Sequence, residues 1–91
     1  MQATADTSGA VDPLEAEILR LTALRGPRKS ICPSEAARSQ RPDWQALMPA
    51  VRQAAVRLAL AGRIEILRHG KPVDPQAFKG VIRLRAVGGP G

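Results

Sequence analysis

Apolar positions recur along this chain with two periods, first helical and then alternating. Leu14, Ile18, Leu21 and Leu24 have the spacing that puts them on one helix face. Asp12 suits the N-cap, Pro13 the first helical position and Glu15 the capping-box position. Glu17, Arg20 and Arg25 are expected to face water, and Gly26-Pro27 ends the helix. Ser30-Ile31-Cys32 predicts a very short strand stopped by Pro33. Ser34 is expected to cap a second helix over 34–40, with Glu35 in its favourable first turn. Ala36 and Ala37 are small enough there for close helix packing, and Arg41-Pro42 closes the segment.

Asp43 opens a short turn over 43–48, with Trp44 and Leu47 as its apolar contacts. Pro49 does not fit deep inside a helix, so the main helix is predicted over 49–62 with Pro49 at its start. At about 100° per residue, Leu47, Val51, Ala54, Ala55 and Leu58 form its core face. Gly62 supplies a left-handed C-terminal cap. The period then becomes two. Ile64 and Ile66 point inward from one strand over 63–67, and Ile82 and Leu84 from another over 81–85. Between them, Arg68-His69-Gly70-Lys71-Pro72 is a basic turn and Asp74-Pro75 a second turn signal.

The predicted order is α-β-α-α-β-β, an α+β fold. It is a three-helix bundle with a C-terminal β-hairpin wing, that is, a winged helix. The recognition helix is then 49–62 and the wing 68–80. One domain over 12–86 is expected, between a disordered N-terminal arm (1–11) and a disordered tail (87–91).

Composition narrows the functional classes. Trp44 and Phe78 are the sole aromatic residues, too few for the base-stacking platform of a single-strand binder. The net charge is +6, and residues 1–25 are acidic while residues 26–91 are strongly basic. A basic body points to an anionic partner, nucleic acid first. The competing reading is an ordinary solvated surface in a chain rich in Arg and Ala. Cys32 is the single cysteine and His69 the single histidine, so no disulfide within the chain and no metal site are expected. The sequence shows neither a secretory leader nor an apolar run long enough to cross a membrane, and a cytoplasmic protein is expected.

The segments GPRKSICPSEAAR (26–38), DWQALMPAVRQAAVRLALAGRIEIL (43–67) and GKPVDP (70–75) resemble the bacterial family catalogued as domain of unknown function 3253. The resemblance covers about 14–85, with the motifs in the family's order and spacing. It implies a small winged-helix-like domain and no established activity.

The outer face of the main helix carries Pro49, Arg52, Gln53, Val56, Leu60 and Arg63, with Arg57 at its flank. Arg52 and Gln53 can make bidentate contacts to base edges, and they lie near the helix end that enters a major groove. Arg57 is a further candidate reader. Arg68, Lys71 and His69 at the wing tip, Arg28 and Lys29 before the second helix, and Arg38 and Arg41 along it are candidate phosphate contacts. The partner implied is double-stranded DNA. Each of these residues also suits a solvated surface. Val56 and Leu60 break the polarity of the outer face. They either pack on the rest of the domain or form an apolar patch for a protein partner. Cys32 is expected to be buried in the short strand, with a thiol-sensor role as a remote alternative. No nucleophile–base pair and no phosphate-cradling loop is evident, so neither catalysis nor a cofactor is expected.

Overall fold

The computed structural model describes residues 12–88. Three helices are followed by a three-stranded antiparallel sheet, α+β as expected and consistent with a small winged-helix-like arrangement. Helix α1 spans Pro13–Arg25 and α2 Pro33–Arg38. A 3-10 turn at Trp44–Leu47 leads into α3, Met48–Leu60. Strands β1, β2 and β3 are Ile64–Arg68, Lys71–Pro72 and Arg83–Ala86. The expected arm at 1–11, and residues 89–91 of the expected tail, lie outside the described residues.

Asp12 caps α1 as expected, its Oδ1 accepting the Leu14 N–H at 2.8 Å. The buried face of α1 agrees with the expected one at Leu14 and Ile18 and departs from it beyond them. Leu14, Ile18 and Thr22 are buried, whereas Leu21 is half-buried and Leu24 is 72% exposed. Strict i, i+4, i+8 spacing won over the mixed spacing of the leucines. It did so because Thr22 satisfies its own hydroxyl, donating to the Ile18 carbonyl at 2.8 Å, so burial leaves no polar group without a partner.

The expected strand at 30–32 reduces to one bridge. Ile31 exchanges both backbone hydrogen bonds with Leu84, at 2.8 and 2.9 Å. The N-cap of α2 is Cys32, not Ser34. Pro33 takes the first helical position, where its missing N–H is harmless, and Glu35 Oε2 accepts the Cys32 N–H at 2.9 Å. Cys32 is therefore half-buried at a helix start, not buried within a strand.

Helix α3 follows the 3-10 turn without a break, and Pro49 sits in its first turn. It ends at Leu60, two residues before the expected end. The Gly62 N–H bonds the Ala59 carbonyl and the Arg63 N–H the Leu58 carbonyl, the two bonds of a Schellman motif. Gly62 has φ +76°, the left-handed conformation glycine adopts at least cost.

The sheet order is β2-β1-β3. The wing expected at 68–80 contains a short strand, Lys71–Pro72, that the sequence did not predict. His69 (φ +54°) and Gly70 (φ +79°) make a two-residue turn, and β2 returns along β1 with Arg68 opposite Lys71. Positive φ at both turn residues matches the right-handed strand twist, which favours this tight connection. Residues 73–82 then carry the chain to the other side of β1, where Ile66 faces Leu84 and Glu65 faces Arg85. Ile64, Ile66, Ile82 and Leu84 point inward as predicted and join Ile18, Ile31, Val51, Ala54, Ala55 and Leu58 in the core. Each large aliphatic side chain there contributes about 1.5–3 kcal/mol of burial.

Candidate nucleic-acid interface

The charges sort into two groups. Arg20, Arg25, Arg41, Arg57 and Arg85 each pair with a carboxylate. The other basic residues have no carboxylate partner among the described residues. Arg52, Arg63, Arg68, Lys71 and Lys79 of this second group are carried by α3, its C-terminal end and the wing, where Lys71 and Lys79 are exposed.

Arg52 and Arg68 meet at Gly80. The Arg52 guanidinium lies 5.1 Å from the centre of the Phe78 ring, a cation–π distance, and its Nη2 approaches the Gly80 carbonyl at 3.4 Å. Arg68 donates to the Lys79 carbonyl. Its guanidinium packs where a side chain on residue 80 would start, with Nη1 3.0 Å from that point. These two arginines fasten the return segment of the wing to α3 and β1, and they keep their charge at the surface because neither partner is anionic.

Gln53 is exposed on the outer face of α3, and Lys71 is exposed on β2 beside the tight turn. Arg57 is directed elsewhere. Its Nε donates to Glu15 Oε2 at 2.6 Å and its Nη2 lies 3.5 Å from Asp12 Oδ2. Of the expected set, Arg52 and Arg68 are brought together, Gln53 and Lys71 project separately from the same two elements, and Arg57 joins α3 to α1. Arg41 is likewise held by Asp43 at 2.8 Å, and Arg38 lies over Trp44 at 4.7 Å. Arg28 and Lys29 are exposed in the loop after α1, and His69 is exposed in the wing turn.

Residues 11–87 match the family described as Protein of unknown function (DUF3253). The chain belongs to that family. No curated protein matches it. The DUF3253 match takes in every described element, from the α1 cap through β3. The three segments singled out in the sequence all lie within it.

Two features of this DUF3253 domain escaped the sequence reading. Phe78 and Lys79 belong to the surface because the return segment folds back on α3, and no local pattern announces that contact. Arg83 was assigned only to the alternation of a strand. It faces outward and its Nε donates to Ser30 Oγ at 2.7 Å, a contact 53 positions away in the chain. No helix among the described residues is long and apolar enough to cross a membrane.

Proposed function

We propose that this domain is a non-catalytic module that binds duplex DNA through the outer face of α3 and the wing. Lys71, Lys79 and Arg68 contact phosphates, while Gln53 and Arg52 face the groove. One observation carries this reading: six of the seven carboxylates among the described residues pair with arginines other than Arg52, Arg63 and Arg68, and Asp74, which accepts the Gln76 N–H of its own turn, is the one carboxylate of the wing beside those cations. Arg57 contributes by holding α3 against α1 and does not read bases.

Such a surface binds mainly through counterion release. Affinity for a duplex falls with salt along a log–log slope of about −3 to −5 if four or five phosphates are engaged. Fluorescence anisotropy with a labelled duplex measures that slope directly. Lys71→Ala and Lys79→Ala should each reduce it by about one while leaving the fold intact. Absence of binding at low ionic strength would sink the proposal.

A protein-docking role draws support from Leu60, which is 55% exposed on the last turn of α3. Its intended companion, Val56, is half-buried against the core, so an apolar patch of the expected extent is not formed by this pair. Leu60→Lys separates the two roles. It abolishes docking of a protein partner and leaves duplex affinity unchanged or slightly higher.

A further inference from the structure

A groove of about 500 Å³ lies beside the His69-Gly70 turn, lined by Ser30, Leu67, Arg68, His69, Val81 and Arg83 together with two glycines. Its volume lies within the range of small-molecule sites. Its construction differs from that of a phosphate-contacting surface. Leu67 pairs with Arg83 across the strands, on the face opposite Ile64 and Ile66. Leu67 is nevertheless only 5% exposed and stands outside the main core cluster. Val81, at the rim, is 84% exposed, a large aliphatic surface left in water.

The polar part of the groove is cationic and held in place. Arg83 is fixed by Ser30, which accepts from its Nε at 2.7 Å and, through the backbone carbonyl, from its Nη2 at 3.0 Å. Arg68 is fixed by the Lys79 carbonyl. Neither guanidinium has a carboxylate partner among the described residues, and both keep N–H donors beyond those contacts. The carboxylate nearest in the strand pairing, Glu65, is engaged by Arg85 at 2.6 Å. A guanidinium whose orientation is already fixed matches a carboxylate in two-point geometry with little further ordering.

We propose that this groove binds a small amphipathic carboxylate, with its headgroup on the Arg83 and Arg68 guanidiniums and its hydrocarbon portion on Leu67 and Val81. Charge complementarity selects the anion. The apolar floor and rim select a ligand with a hydrocarbon chain over a bare phosphate or a nucleic-acid backbone. The site shares Arg68 with the proposed duplex surface, whereas Leu67, Val81, Ser30 and Arg83 take no part in it.

The test is titration of the full chain with butyrate, hexanoate and octanoate, followed by amide NMR, with inorganic phosphate as the comparison anion. The expected result is movement of the resonances of Leu67–Gly70 and Gly80–Arg83. Affinity should rise roughly two- to fourfold per added methylene. Val81→Asp, at an exposed position that leaves folding intact, should weaken hexanoate at least tenfold by placing a like charge at the rim. Arg83→Gln should weaken hexanoate while leaving the small response to hexanol unchanged. Three results would overturn the proposal: no movement at tens of millimolar ligand, affinity indifferent to chain length, or phosphate acting as strongly as octanoate on the same resonances.

Discussion

Arg57 Nε donates to Glu15 Oε2 at 2.6 Å across 42 positions of sequence, and this contact joins the middle of α3 to the first turn of α1. Half of the Arg57 side chain is exposed, so the pair is screened and contributes under about 1 kcal/mol. Arg57→Ala should therefore lower stability by less than that in urea unfolding. It should change duplex affinity no more than about two- to threefold, the loss of one peripheral charge. Glu15→Gln makes the converse case. It removes one of the two carboxylates that hold the Arg57 guanidinium at the flank of α3, leaving Asp12 Oδ2 at 3.5 Å, and duplex affinity should rise.

Gly80 and Gly62 both have positive φ, +80° and +76°, yet they should respond differently to alanine. Nothing lies within 4 Å of a Cβ at Gly62, so Gly62→Ala costs only the left-handed conformation, about 1–2 kcal/mol. A Cβ at Gly80 would meet the Arg68 guanidinium at 3.0–3.3 Å. Gly80→Ala should add displacement of Arg68 from the Lys79 carbonyl to that strain. Amide NMR should show the wing resonances moving in Gly80→Ala and staying in place in Gly62→Ala.

The parts of the fold legible in the sequence are those where one residue type has one conformational use. The Asp12-Pro13 cap, the Gly62 stop and the alternation of Ile64-Ile66 and Ile82-Leu84 are of this kind. The misread parts are those where a side chain resolves its own conflict. Thr22 enters the core by bonding its own helix, and Leu24 is left in water as a result. Cys32 takes the cap because Pro33 and Glu35 complete the first turn around it. The wing was legible as a basic connection, but its tight turn depends on positive φ at His69, a conformation uncommon outside glycine that no neighbouring residue signals. At the candidate interface, residue types and elements were legible and pairings were not. Nothing local distinguishes Arg57, neutralised by Glu15 and Asp12, from Arg52, which rests on Phe78 and stays uncompensated.

Thr22 offers a direct test of the α1 packing. Its hydroxyl bonds the Ile18 carbonyl, so removing it strands no donor and leaves no buried acceptor without a partner. Thr22→Val should fall within about 0.5 kcal/mol of wild type, or above it. Thr22→Ala should lose about 1 kcal/mol, because a methyl-sized gap opens at a buried position. Equilibrium denaturation of the two variants decides the point. A large loss in Thr22→Val would mean that the hydroxyl has a partner beyond its own helix.

Acid should reach the domain through Glu17. The Arg20 guanidinium grips both of its carboxylate oxygens, at 2.9 and 2.6 Å. That hydrogen bonding, opposed by partial burial and aided by Ser39, holds the Glu17 carboxyl below its ordinary value of 4.5. In the unfolded chain the contact is gone and the group takes up its proton near 4.5. As the pH falls below that value the unfolded state binds more protons than the folded one, and stability declines. The contribution is fully present above 4.5 and is lost as the pH falls through the lowered value of the folded state. Thermal melts from neutral pH down to about pH 3 should show Glu17→Gln starting lower than wild type and the gap closing below 4.5. A gap that stays constant across that window would mean the Glu17–Arg20 pair does not stabilise the fold through its charge.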